Sequence, residues 1–492
     1  MIPVQVYLAL PYVLAVLLAL AIPVAVVLQY RLARRVSSET RIIVLLTLIA
    51  FGAMAAVALT PRTLNERDLE TAGRHLMSDF EEGFAASRYL NVMIVGASFV
   101  ELLRGWLNGR AQRQPDPARP ILVGLVTFYI GTILIQAFGS AHPGFGYQSL
   151  YVPIVLLTVY YQRISDIERV ANCAKLAVLA LMVASLGAIA IKPDFVLHRP
   201  DLGVIPGIDF RLFGLTPHAN ALGPVALIGL MLEAYFPSGT FLLRVVQVVS
   251  AAAVLVLAQS KTAWVAGCIV VLVVSVPLGL LPSRTAAGER AGFGRAVFTL
   301  LACMGLLIAI AIGLTQFDVA GYLDRNAQIE TLTGRTQIWD ITLQGWHESD
   351  LFGYGREIWG AERMLKFRLF HVGQAHNQFI QTLGEAGLLG MALLLAYLGV
   401  MLHAALSRFS ASRGLVLSLY VLVFARCVTE APLRADGVQS WPTFTSVLLV
   451  MFACHFMRGG AACAPIRVPS ERRMHADGTD HRQGETLGWA GR

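Results

Sequence analysis

The chain has 492 residues, of which 56% are hydrophobic and only 14% charged, with a formal net charge of +8. Its mean hydropathy of +0.63 excludes a soluble globular protein, whose surface would need far more polar residues to stay in water. The basic balance does not indicate nucleic-acid binding, because the arginines sit in short loops between apolar runs, where they set orientation in a membrane.

A helix that crosses the hydrocarbon needs about 20 mostly apolar residues. Runs of that kind fall in chain order at 7–30, 42–59, 89–107, 121–139, 149–161, 175–192, 218–236, 241–259, 263–281, 297–315, 380–404, 414–430 and 442–457. They predict an all-α polytopic membrane protein with about 12 to 13 transmembrane helices. The run from Tyr7 to Tyr30 has no basic residues ahead of it and no small-residue cleavage site, and reads as a retained span, not a signal peptide. The six cysteines, Cys173, Cys268, Cys303, Cys427, Cys454 and Cys463, have no metal-ligand spacing and read as small packing residues.

Alternate loops carry the basic residues. Arg31, Arg34, Arg35 and Arg41 are followed on the same side by Arg104, Arg110, Arg113 and Arg119, then Arg163 and Arg169, Arg284, Arg290 and Arg295, and Arg408 and Arg413. Positive loops face the cytoplasm. That places the segments 60–88, 140–148, 193–217, 316–379 and 431–441 outside, with the C-terminal tail inside. Residues 1–457 then form the transmembrane domain, and 458–492 read as a disordered cytoplasmic tail because they are poor in apolar residues. The external stretch 316–379 is too long for a connector and holds Trp339, Trp346, Phe352, Tyr354 and Trp359, as functional loops often do.

Several polar residues on the external side have no explanation in membrane topology. Lys261, in the polar break Gln259-Ser260-Lys261-Thr262 between two apolar runs, either reaches the headgroups or binds an anion such as a lipid phosphate; buried, it would need an anionic partner. Arg335, in Thr333-Gly334-Arg335-Thr336, offers a planar fork of donors suited to phosphate at the start of a helix-like stretch, or is an ordinary surface arginine. Arg211, His218 and Asn220 stand just before an apolar run, where Pro217 alone would mark a helix start. His376 is able to exchange a proton near neutral pH, and Asn377 follows it. Glu430 ends its run beside the external face, where it pairs with one of these cations, holds the histidine, or faces water.

Together, Gln259-Ser260-Lys261-Thr262, Gly334-Arg335 with Trp339, Gly353-Tyr354-Gly355, and His376-Asn377 with Glu385-Ala386-Gly387-Leu388-Leu389-Gly390 resemble the superfamily of O-antigen ligases and exopolysaccharide or O-antigen polymerases. The resemblance covers about residues 200–435 by motif. It implies a glycosyltransferase C-like bundle of the inner membrane, one large periplasmic loop over the site, inverting and metal-independent glycosyl transfer, and no cofactor. It implies as partners a polyprenyl-pyrophosphate-linked glycan donor and a glycan acceptor, membrane lipid, a flippase and a chain-length regulator, and no nucleic acid. Carried over by motif, Lys261 and Arg335 hold the donor pyrophosphate and His376 serves as general base. Arg211 and His218 lie in a segment similar to the family's Arg-x-x-Gly stretch and, with Asn220, Asn377 and Glu430, are expected substrate contacts. Ligases that act on lipid A core usually have arginine where this chain has Lys261, so the closer likeness is to exopolysaccharide polymerases. A ligase acting on lipid A core or on a protein is the alternative. A transporter of lipid-linked sugars is the third reading, and would call for charges at mid-membrane depth and an internal repeat, neither of which is visible.

Overall fold

The structure, a computed structural model, describes residues 36–60, 62, 64, 85–110, 115–199, 205, 208–275, 335–360, 363, 366–367, 373–435 and 437–460. The expected spans at 7–30 and 297–315, the acidic residues of the segment 66–82, residues 316–334 of the long loop and the tail beyond 460 lie outside the described residues.

The other eleven apolar runs all fall on helices. In chain order these are α1 (Ser38–Ala58), α2 (Ala85–Arg110), α3 (Arg119–Gly139), α4 (Tyr151–Tyr161), α5 (Ile167–Ile191), α6 (Ala219–Tyr235), α7 (Phe241–Leu257) and α8 (Lys261–Ser275), followed by α10 (Gln378–Ser407), α11 (Leu415–Thr429) and α12 (Trp441–Met457). Between α8 and α10 lies α9 (Arg335–Trp346), which is not apolar and belongs to the long loop. Five helices, α1, the body of α2, α3, α5 and α10, are long and apolar enough to cross a membrane on their own. A two-residue antiparallel pair, Leu197–His198 with Arg211–Leu212, is the strand content of the described residues. The chain is an all-α polytopic membrane protein.

The helices are built as lipid-facing and core-facing elements should be. On α12, residues 443–454 are all buried, so this helix, apolar all round, stands at the centre of the bundle. Peripheral helices instead present Phe138, Ile191, Phe241 and Leu242 outward, well exposed, where lipid would cover them. One difference from expectation is the start of α5. It begins at Ile167, not near 175, because Asp166 accepts a hydrogen bond from the Arg169 N–H and caps the helix, which draws Arg169 out of the loop and into the first turn.

The loops sort into two sets at opposite ends. At one end Arg41 and Arg104 pair with Glu101 at 2.6 and 3.1 Å, Glu39 accepts from Ser165, and Arg458 pairs with Asp116 at 2.7 Å. At the other, Arg62 donates to the carbonyls of Phe195, Gly214 and Thr216, His142 meets Glu348, and Asn220 meets Glu430. Among the described residues, the first set contains Arg41 and Arg104 of the basic loops, and the second contains the candidate site residues Asn220 and Glu430.

Helix α10 is broken at Gly387, whose φ of 63° lies in the left-handed region. The backbone groups freed by the break are taken up by the loop: the N–H groups of Leu388 and Leu389 donate to Asp350 O and Leu351 O at 3.0 Å, and Tyr354 N–H donates to Gly384 O at 2.8 Å. Gly353 fits only as glycine, since its φ is 75° and a Cβ there would lie 2.6 Å from Gly387 N. Gly353→Ala is therefore expected to cost about 1–3 kcal/mol and lower the thermal midpoint of the purified protein. Gly96→Ala, on α2 with nothing within 4 Å of the added atom, should leave that midpoint unchanged or raise it.

Candidate active site

The site is organised around Glu430, which caps the C-terminal end of α11 and whose side chain is only 11% exposed. One oxygen, Oε1, accepts from Asn220 Nδ2 at 3.0 Å and Arg335 Nη2 at 3.3 Å. The other, Oε2, accepts from His376 Nδ1 at 2.7 Å and Gln374 Nε2 at 3.3 Å. A buried carboxylate is costly unless it is paired and hydrogen-bonded, and this one is both. Burial would raise its pKa, but the hydrogen bond and charge of His376, the Asn220 amide and the Arg335 charge outweigh it and hold the group at about 2.

Each partner is placed by its own local structure. Arg335 opens α9, and its Nη1 also donates to Thr429 O at 3.0 Å. His376 sits in a short loop at φ 50°, a strained conformation for a residue with a Cβ. That loop is clamped on three sides: Trp339 Nε1 donates to Ala375 O at 2.8 Å, Ala375 N–H donates to Gln381 Oε1 at 2.6 Å, and Arg434 donates to Gly373 O at 2.6 Å. With Nδ1–H given to Glu430, the neutral imidazole has its lone pair on Nε2. The histidine adjoins a cavity of about 360 Å³ lined also by Gly373, Gln374, Ala431, Pro432 and Arg434.

Lys261 begins α8, two residues after Gln259, which like His376 has a left-handed φ, of 47°. The lysine is exposed, so it does not meet the condition of burial under which an anionic partner is required, and among the described residues no carboxylate pairs with it. Its neighbour Thr262 shares a hydrogen bond with Thr429 at 3.0 Å, so Lys261 and Arg335 both stand beside the last turn of α11. Arg211 donates to Asn220 Oδ1 at 3.1 Å and approaches the carbonyls of Ala258 and Gln259 at 3.4 Å.

Two expected substrate contacts are occupied in capping helices. Asn377 Oδ1 accepts from the N–H groups of Phe379 and Ile380 at the start of α10 while its amide donates to Val428 O. His218 Nδ1 accepts from Asn220 N–H at the start of α6, which requires that nitrogen unprotonated. Burial against neighbouring protein and the Arg211 charge push His218 down to about 4, although the ring keeps solvent contact, as a residue lining a concavity does. The sequence reading passed over Gln374 and Thr429; their only signal was adjacency to His376 and Glu430.

The depressed pKa of Glu430 has a sign that can be measured. Its contribution to stability is full above the unfolded value of 4.5 and is lost as pH falls toward about 2. The thermal midpoint of the wild type should decline across that window, and Glu430→Gln should show a lower midpoint and a flatter profile there. An identical acid profile for the two proteins would rule out the pairing.

Residues 246–395 match the family model described as O-antigen ligase, and no curated protein matches the chain. The matched segment runs from α7 into the body of α10 and carries Lys261, Arg335 and His376. Over that segment the chain is similar to the O-antigen ligase family.

Proposed function

We propose that this protein polymerises polyprenyl-pyrophosphate-linked oligosaccharide repeats into exopolysaccharide, working at the periplasmic face of the inner membrane. The carrying observation is that His376 and Arg335 meet on one buried carboxylate, Glu430, beside the helix start that bears Lys261. The described arginines Arg41, Arg104 and Arg458 pair at the opposite end of the bundle, and by the positive-inside tendency this supports a site on the outer face.

In this reading Glu430 keeps the proton of His376 on Nδ1, and Nε2 takes the proton of the acceptor hydroxyl. The hydroxyl oxygen forms its bond to the anomeric carbon from the face opposite the diphosphate, whose C–O bond breaks with the electron pair leaving on phosphate oxygen. The anomeric centre inverts. Arg335 and Lys261, with Arg211 behind Asn220, offset the charge that grows on the leaving diphosphate. Glu430 stabilises the imidazolium until its proton is released to water. Lys261 in place of the arginine usual in lipid A core ligases supports a polymerase over a ligase, and its compact charge holds the diphosphate less directionally than a fork would.

The test is a strain whose only copy of the gene encodes His376→Ala. Polymer should fall by about 10²–10⁴-fold while single repeat units accumulate on the lipid carrier. Normal-length glycan left unattached to its acceptor would turn the assignment to a ligase, and a wild-type glycan profile would remove His376 from the chemistry.

A further inference from the structure

A second cavity of about 260 Å³ adjoins the first, and the two share Gly373 and Arg434 in their walls. None of Lys261, Arg211, His218, Asn220, Arg335, His376, Asn377 or Glu430 lines it. It lies where two membrane helices both depart from regular α geometry. On α3, the stretches Val126–Ile130 and Ile135–Gly139 are wound as π-helix, a wider turn that recurs at functional sites. On α10 the facing wall ends at the break at Gly387.

The lining is polar for a space between membrane helices. Gln136 of α3 donates to Glu385 Oε2 at 3.3 Å, and Gln381 donates to Glu385 Oε1 at 2.5 Å. Gln381 in turn accepts the Ala375 N–H, so a row of hydrogen bonds runs from the cavity wall to the residue before His376. Arg356 reaches Ser149 at 2.7 Å across the rim. Aromatic faces come from Phe128, Tyr129 and Trp359, and the buried Tyr129 hydroxyl and Trp359 N–H have no hydrogen-bond partner among the described residues.

Three ligand chemistries can be weighed against this lining. An alkyl chain would leave the buried Tyr129 hydroxyl and Trp359 N–H unmet and lay hydrocarbon against the Glu385 carboxylate, a cost of about a few kcal/mol. A phosphate would meet the Glu385 carboxylate. A pyranose ring offers both donors and acceptors to the amides and carboxylate and an apolar face to the aromatics, and the volume suits a single ring.

We propose that this cavity is a sugar subsite that holds one ring of the glycan next to the ring joined at His376, with Gln136 and Glu385 reading its hydroxyls. The assignment rests on the glycan-transfer reading above. It makes the hydrogen-bond row through Gln381 the link by which a seated ring holds the His376 loop in place.

The test uses the full-length protein in lipid nanodiscs, with methyl glucoside, methyl galactoside and methyl N-acetylglucosaminide as probes in saturation-transfer NMR. At least one glycoside should receive saturation, and Glu385→Gln and Gln136→Leu, on separate helices and each checked by its thermal midpoint, should weaken it about tenfold. No transfer to any of the three, or equal transfer in both variants, overturns the subsite. In membranes supplied with the natural substrates, a raised KM for the acceptor alone seats the acceptor's ring there, and a raised KM for the donor alone seats the donor's. Lowered kcat with both KM values unchanged overturns the assignment. A strain lacking the gene that still makes its normal surface glycan would defeat the transferase reading itself; lost glycan in that strain with unaltered KM in both variants would defeat the subsite alone.

Discussion

A carboxylate held away from water by charged partners is the constraint on which this site depends. Glu430 gathers Asn220 from α6, Arg335 from the long loop, His376 from the approach to α10 and its own α11, elements up to about two hundred residues apart in sequence. Removing either partner would leave the other less well matched to the single negative charge, so the positions of the His376 imidazole and the Arg335 guanidinium are interdependent. Pairing also selects which nitrogen of His376 is available, and so one group supplies both geometry and protonation state.

The strained residues are distributed in a way that fits this dependence. Three non-glycine residues among those described have left-handed backbone, and two of them, Gln259 and His376, flank the site. Gln259 is held by its amide, which donates to the carbonyls of Ile208 and Phe210 and so ties the segment before Arg211 to the start of α8. The loop around His376 is held by Trp339, Gln381 and Arg434. Local strain persists at both places because surrounding bonds over-determine it.

Hydropathy made the helices legible with little error, because a length of apolar chain is a local property that lipid enforces directly. The helix start at Ile167 was missed because an Asp cap outweighed the charge of Arg169. The cations and the histidine stood out as residues that topology did not explain, and their motifs brought the family. What could not be read was the wiring: that Glu430 serves both Arg335 and His376, or that Asn377 and His218 spend polar atoms on capping, follows from contacts between distant segments. The row Gln136, Glu385 and Gln381 was invisible for the same reason, since a glutamine in the fourth apolar run carries no local sign of a partner some 250 positions later.

The break in α10 ties the long loop to the membrane bundle in a way that bears on how the protein can diversify. Because carbonyls at 350 and 351 complete the hydrogen bonding of Leu388 and Leu389, the stretch around Gly353 is a structural part of the helix it covers. Replacing that stretch would leave the Leu388 and Leu389 N–H groups without their carbonyl partners unless the matching hinge travelled with it. A change in the stretch from Asp350 to Gly353 is therefore a change in the helix as well.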